Sequence, residues 1–155
     1  MATAHLIHGY IGAGKTTLAK SLEQRFQAVL FSLDDWVGRL FGDDPPTELF
    51  QEKAAIVLEL MEPLWARCLE LGLDVVLDFG FWRRAERNRA RRVAHALGAE
   101  TRLYLVESPE EEALARVARR NLVPGRVLYV SPETFANLKR LFEPLDPDEA
   151  FVIPS

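Results

Sequence analysis

Eight consecutive residues near the amino terminus give the clearest chemical signal in this chain. From Gly9 to Thr16 they fit the pattern G-x-x-x-x-G-K-S/T at every fixed position. In such a segment the glycines let backbone N–H groups turn towards a phosphate chain, the lysine adds charge for the outer phosphates, and the hydroxyl can reach a magnesium ion. The pattern predicts a site for a nucleoside triphosphate, ATP or another, with Mg²⁺. We assign phosphate contacts to Gly9, Gly12, Ala13, Gly14, Lys15, Thr16 and Thr17, and the metal contact to Thr16.

Acidic residues follow two later apolar runs. Asp34 and Asp35 come after the run 28–32, and Asp78 comes directly after Val75-Val76-Leu77. Transfer of a phosphoryl group to a hydroxyl needs a carboxylate that accepts the hydroxyl proton. We predict that Asp34 is this base, with Asp35 as the alternative, although either could instead cap the following helix. For Asp78 we predict a magnesium contact, against the alternative of a strand-end carboxylate satisfied by backbone N–H groups.

A first group of arginines lies just after Asp78. On a helix, Arg83, Arg84, Arg87 and Arg91 would share an arc of roughly 100°. Solvated arginines paired with nearby acids are one interpretation of this face. Arg83, Arg84 and Arg87 come soon after the cleft acid and are expected near the cleft. We predict that Arg83 and Arg87 contact the substrate, together with Asp35 and Asp78. Trp36 follows the other cleft acids and could line an acceptor pocket, although packing in the core is the default for a tryptophan.

A second group of arginines, Arg116, Arg120 and Arg126, lies in and next to the Gly/Pro-containing segment that starts after residue 121. A mobile segment that carries arginines could close over the triphosphate, adding positive charge and excluding water. We therefore predict a lid over approximately 116–131. Arg116 and Arg120 are assigned to nucleotide binding, and Arg120 and Arg126 to catalysis.

Strands and helices alternate along the chain in a way that positions these residues. Apolar runs near 4–8, 28–32, 73–78, 101–106 and 151–153 read as strands, and helical stripes separate them. Such alternation predicts an α/β fold with a parallel sheet of about five strands and helices on both faces. Ligands bind beyond the carboxyl ends of parallel strands, so the loop and the acids are expected to share one cleft. Pro63 is expected to kink a helix or to start a second segment.

Length and composition restrict the partners. A chain of 155 residues suits one domain, 1–155. A net charge of −4 argues against a dedicated nucleic-acid binder without excluding one. The single cysteine, Cys68, and the absence of any apolar run near 20 residues predict a cytoplasmic protein with no membrane span. The spacing of the three histidines suggests no zinc site.

The motifs together resemble the small P-loop kinases of the AAA_33 and zeta-toxin type, a group that includes the kinase domain of polynucleotide kinases and chloramphenicol phosphotransferase. The resemblance spans nearly the whole chain. It rests on the loop and on the segments Phe31-Ser32-Leu33-Asp34-Asp35-Trp36, Val75-Val76-Leu77-Asp78 with Arg87, Arg116-Val117-Ala118-Arg119-Arg120-Asn121 and Ser131-Pro132-Glu133-Thr134-Phe135.

This resemblance implies a three-layer P-loop NTPase fold with a small helical lid. It also implies that Asp34 is the general base and that the lid arginines are Arg120 and Arg126. The chain has Leu33 where polynucleotide kinases have an arginine, and Asp78-Phe79 where many relatives have Asp-Thr or Asp-Ala. Both differences make the acceptor site more apolar and argue against a nucleic-acid end as the substrate.

The function predicted from the sequence is transfer of a phosphoryl group from ATP to a hydroxyl of a small-molecule acceptor. An NTP hydrolase would use the same loop with an oriented water, and a regulatory module would bind nucleotide without turnover. A kinase for 5′-hydroxyl nucleic acids is a further alternative. These alternatives differ in their products, because only a kinase places the γ-phosphate on an acceptor.

Overall fold

A four-stranded parallel sheet lies at the centre of the computed structural model, which describes residues 1–42, 47–123 and 129–154. The strands are ordered β2-β3-β1-β4. They span Thr3–His8 (β1), Val29–Ser32 (β2), Val75–Gly80 (β3) and Glu100–Leu105 (β4). The helices span Lys15–Phe26 (α1), Leu33–Phe41 (α2), Thr47–Glu70 (α3), Arg84–Ala96 (α4), Glu110–Asn121 (α5) and Pro132–Leu138 (α6), and a 3₁₀ turn covers Lys139–Leu141.

Successive side chains of a strand point to opposite faces of the sheet. Helices pack on both faces, so both sets of side chains are buried. Ile7, Val76 and Tyr104 pack with the α1 residues Ala19 and Leu22 in one hydrophobic cluster. The neighbouring strand residues Leu6, Leu77 and Leu103 belong to a larger cluster. This cluster also contains residues of α3 and α4, including Val57, Trp65 and Ala90. The predicted α/β fold with helices on both faces is therefore confirmed.

The register of the strands brings the predicted site residues to one edge. Ser32 at the end of β2 is paired with Asp78 in β3, and His8 at the end of β1 is paired with Gly80. The loop that starts at Gly9 and the helix α2 therefore begin at neighbouring points of this edge, as expected for a parallel sheet.

Two features differ from the sequence prediction. The expected fifth strand is reduced, in the described part of the chain, to one parallel bridge between Val152 and Tyr104. In addition, α3 continues through Pro63 as a single helix. Although proline removes one helical hydrogen bond, Met61, Trp65 and Leu69 on both sides of it are buried in the core. This packing on one face outweighs the local preference for a break.

Candidate active site

The loop between β1 and α1 has the backbone shape that a phosphate site requires. Gly12 and Gly14 have φ angles of 77° and 104°, in the left-handed region that favours glycine. A Cβ on Gly12 would lie 2.5 Å from the carbonyl oxygen of Ala113, so α5 also leaves no room for a side chain there. Gly14 caps α1 without a side-chain hydrogen bond, which leaves the N–H groups at this helix end for a ligand.

Few groups of this loop are satisfied by the protein itself. The Ala13 N–H donates to the Tyr10 carbonyl at 3.1 Å, as does the Lys15 ammonium at 3.1 Å. Within the described residues, the N–H groups of Ile11, Gly12 and Gly14 donate to no acceptor. Unpaired amides at a helix N-terminus, next to a lysine, can bind an anion.

Arginines of α5 approach the loop from one side. Arg116 donates from Nη1 to the Gly12 carbonyl at 3.0 Å, and its side chain also lies 3.8 Å from the carboxylate of Glu112. One turn further along α5, the Nε and Nη2 atoms of Arg120 are buried and have no hydrogen-bond partner among the described residues. Arg126 and residues 124–128 of the predicted lid lie outside the described residues.

The predicted base and the predicted metal contact line the same cavity as the loop lysine. Lys15, Asp34 and Asp78 all border a cavity of about 610 Å³. Neither acid following β2 caps α2, because Ser32 takes this position and accepts a hydrogen bond from the Asp35 N–H. Asp34 is therefore not occupied as a helix cap and borders the cavity. Asp35 accepts instead from Arg39 at 3.0 Å in an exposed ion pair.

Asp78 lies at the buried end of this cavity. Its Oδ1 atom is buried and has no hydrogen-bond partner among the described residues, so the alternative of a carboxylate fully satisfied by backbone N–H groups does not account for it. Burial raises the pKa of this carboxyl group to about 6, with Lys15 lowering and Asp34 raising it. An unpaired buried oxygen beside the phosphate loop fits a divalent cation or its water, since Mg²⁺ prefers oxygen ligands.

The rest of the cavity wall is mostly apolar. Trp82 closes it next to the loop, with its indole N–H donating to the Gly9 carbonyl at 3.1 Å. Gly80 makes this contact possible, because a Cβ there would lie 2.7 Å from the Trp82 nitrogen. We did not single out Gly80 from the sequence; a glycine between aromatic residues at a strand end was the available signal. The other large apolar residues of the wall are Leu33, Phe50, Leu58, Phe79 and Leu141.

The arginines of α4 separate into two kinds. Arg83, one of the two arginines predicted to contact the substrate, lines the cavity. Arg87 is fully buried and turns away from it, donating from Nε and Nη2 to the two carboxylate oxygens of Glu149 at 2.9 Å each. Arg84 binds Asp146 and Asp148 at 2.7 Å, and Arg91 also contacts Glu149.

The structure therefore does not bring Arg87 to the cleft. Its guanidinium is buried, and removing a charge from water is costly unless a carboxylate pairs with it. Glu149, which we missed, has a pKa of about 2: burial alone would raise this value, but the hydrogen bonds and charges of Arg87 and Arg91 outweigh it. The acidic run Asp146, Asp148 and Glu149, opposite the arginine face, was the signal for this contact. Trp36 packs against the core and does not line the cavity.

Comparisons with known proteins agree with this architecture. The family model AAA_33, described as an AAA domain, matches residues 5–145. No curated protein matches the sequence. Among solved structures, a sugar kinase from Janibacter sp. HTCC2649 superimposes with a TM-score of 0.69 at 16% identity, over 99% of this chain and 85% of its own.

Two further structures show the same fold. Kti12 from Chaetomium thermophilum, solved in complex with ADP-AlF3, has a TM-score of 0.69 at 17% identity, over 98% of this chain and 88% of its own. A chain of the Pnkp1/Rnl/Hen1 RNA repair complex has a TM-score of 0.68 at 17% identity, over 90% of this chain and 43% of its own.

None of the helices in the described ranges has the length and hydropathy of a bilayer span.

Proposed function

Since the chain belongs to the AAA_33 family of AAA domains, we propose that it is an ATP-dependent kinase that phosphorylates a hydroxyl of a small-molecule acceptor. One observation carries this proposal: Lys15, Asp34 and Asp78 border a single cavity of about 610 Å³ with a mostly apolar wall. A hydrolase needs room only for a water, whereas this volume is within the range of small-molecule sites.

The proposed roles follow from the positions of the side chains. The loop amides and Lys15 hold the phosphates, and Arg116 and Arg120 add positive charge from α5. Thr16, which is exposed at the start of α1, and Asp78 would hold Mg²⁺. Magnesium, when bound, offsets the negative charge of the phosphates.

The transfer step uses Asp34. The acceptor oxygen attacks the γ-phosphorus and forms the new O–P bond, while the bond from the γ-phosphorus to the bridging oxygen breaks and ADP leaves with the electron pair. The hydroxyl proton passes to Asp34 and then to solvent. The apolar wall excludes water from this step, which favours transfer over hydrolysis.

The proposal is tested with γ-labelled ATP, Mg²⁺ and a library of small hydroxyl compounds. We expect label on an acceptor, and we expect Asp34→Asn to reduce transfer by about 10²-fold or more with little change in the affinity for Mg·ATP. Label found only as free phosphate across the library would show an NTP hydrolase. Unchanged transfer in Asp34→Asn would exclude Asp34 as the base, and binding of Mg·ATP without any turnover in the wild type would favour a regulatory module.

A nucleic-acid kinase is tested in the same assay with a 5′-hydroxyl oligonucleotide. Leu33 is 7% exposed and forms part of the cavity wall, so no cation at this position is available to a phosphodiester. We therefore expect no label on the oligonucleotide.

A further inference from the structure

A second cavity continues the first along the space between α3 and α4. It has a volume of about 440 Å³ and is bordered at its far end by Glu62 and Arg89. Four residues border both cavities, namely Ala55, Leu58, Phe79 and Glu86. The two cavities are therefore adjacent, with Asp34 on the wall of the first and the Glu62–Arg89 pair on the wall of the second, and we call them together the acceptor trough.

Much of the wall of the acceptor trough is apolar and rich in aromatic rings. Phe50 and Trp82 stack with their ring centroids 6.3 Å apart and their planes at 22°. Phe79 borders both cavities and packs against Phe81 at 5.5 Å. Flat apolar walls of this kind bind the body of an aromatic or branched apolar molecule, and they offer little to a polyol.

The charged residues of the acceptor trough, apart from Lys15 and the two catalytic-site acids, are mainly carboxylates. They are Glu52, Glu59, Glu62 and Glu86, against Arg83 and Arg89. Arg89 is already bound by Glu62 through two hydrogen bonds of 2.7 Å. Arg83 makes a long contact of 3.4 Å with Gln51. An anionic acceptor would therefore meet an excess of negative charge.

Glu86 holds the central position among these carboxylates. It lies where the two cavities join and is only partly exposed. Burial raises the pKa of its carboxyl group, partly opposed by the charge of Arg83 and a backbone hydrogen bond. A cation bound beside it would compensate for this loss of solvation.

We propose that the acceptor trough binds an elongated amino alcohol with an apolar or aromatic body. Its hydroxyl lies at Asp34, its body lies on Phe50, Leu58 and Phe79, and its ammonium group binds Glu86. This inference rests on the proposed kinase function and specifies the class of acceptor.

Three probes of nearly the same shape test this assignment, each with a hydroxymethyl group on one end of a benzene ring: 4-(aminomethyl)benzyl alcohol (the amine probe), its N-acetyl derivative (the neutral probe) and 4-(hydroxymethyl)phenylacetate (the anionic probe). Binding to the full chain with Mg²⁺ and a non-hydrolysable ATP analogue is measured by titration calorimetry or ligand-observed NMR. We expect the amine probe to bind about tenfold or more tightly than the neutral probe, because a hydrogen bond to a charged group is among the stronger contacts. We expect the anionic probe to bind most weakly.

Substitution at Glu86 identifies the group responsible. Glu86→Gln is expected to reduce the affinity for the amine probe by about tenfold and to leave that for the neutral probe unchanged. Glu111→Gln, an exposed acid on α5, is the control for total charge. Equal affinities for the three probes, no binding of any, or an equal loss for the amine and the amide in Glu86→Gln would overturn the assignment.

The kinase function is read out separately, with γ-labelled ATP. Binding of the amine probe through Glu86 without label on any hydroxyl compound would reject the kinase and keep the acceptor trough as a site for cationic apolar ligands. Label found on polyols but not on amino alcohols would keep the kinase and reject the assigned acceptor class. Should Glu86→Gln fail to fold, the comparison of the three probes on the wild type decides.

Discussion

The indole N–H of Trp82 donates to the carbonyl of Gly9 across 73 positions of sequence. This hydrogen bond joins the wall of the cavity to the first residue of the phosphate loop. Phe81, the residue before Trp82, has a φ of 47°, and its carbonyl accepts from the buried Arg87 at 2.8 Å and lies 3.0 Å from His8 Nδ1. The arginine that does not reach the cleft therefore supports the turn that directs Trp82 towards it.

Trp82→Phe tests this link, because phenylalanine keeps an apolar ring and removes the N–H donor. We expect the free energy of unfolding to fall by about 1 kcal/mol and transfer to slow more than nucleotide affinity weakens. Urea denaturation, calorimetry with Mg·ATP and the transfer assay measure these effects. Trp36→Phe is the matched control, since Trp36 packs on the core away from the cavity. Identical behaviour of the two variants would contradict the role of the hydrogen bond.

Asp78→Asn is expected to stabilise the protein while it impairs transfer. The pKa of Asp78 is raised by burial from 3.8 to about 6, so the folded state binds more protons than the unfolded state between these values. Its stability therefore falls as pH rises through this window, and the loss is complete above about pH 6. Two pKa units correspond to roughly 3 kcal/mol as an upper limit.

Urea denaturation of the wild type and Asp78→Asn between pH 4 and 8 measures this difference. The stability advantage of the variant should be small near pH 4 and reach a plateau above pH 6. An advantage independent of pH would show that the Asp78 carboxylate is not the cause.

Glu149→Gln is expected to destabilise the fold by about 3–5 kcal/mol, because it leaves the buried charge of Arg87 without a carboxylate. Asp148→Asn is the control, since its partner Arg84 keeps Asp146 and the pair lies at the surface, where ion pairs contribute little. The double variant Arg87→Met with Glu149→Leu should recover much of the loss. Equal destabilisation by Glu149→Gln and Asp148→Asn would argue against this interpretation.

The same pair predicts acid sensitivity. The pKa of Glu149 is lowered from 4.5 to about 2 in the folded state, so its contribution to stability is present above pH 4.5 and lost as pH falls towards 2. Denaturation midpoints measured in acid should therefore decline more steeply for the wild type than for the double variant. Parallel declines would refute this contribution.

Gly12→Ala separates two reasons for a glycine in the loop, namely the left-handed backbone and the close packing of α5. Gly72 has a similar φ of 83° with no atom near its Cβ position, whereas a Cβ on Gly12 would approach the Ala113 carbonyl to 2.5 Å. Both alanine variants should lose about 1–2 kcal/mol from the left-handed backbone, and only Gly12→Ala should also lose affinity for Mg·ATP. Calorimetry and urea denaturation compare them. Retained nucleotide affinity in Gly12→Ala would exclude close packing of α5 as a requirement of the loop.

Some parts of this fold were predictable because their signals are local. The α/β class follows from apolar runs of strand length between helical stripes, and parallel pairing brings the ends of β1, β2 and β3 to one edge. The continuity of α3 at Pro63 and the reduction of the fifth strand to one bridge were not predicted, because their causes are not local. The packing of Met61 and Trp65 in the core keeps α3 continuous at Pro63. The last segment pairs with β4 at a single position, Val152.

The residues of the site likewise fall into those predictable from adjacent sequence and those that depend on tertiary packing. The sequence by itself determined the loop, since glycine φ preferences and the reach of a lysine depend on adjacent residues, and it indicated the acids at the strand ends. Only the tertiary structure decided which arginine lines the cavity and which is buried, because Arg87 and Glu149 are 62 positions apart. A pairing at that separation depends on how α4 packs against the C-terminal segment, and no local periodicity encodes it.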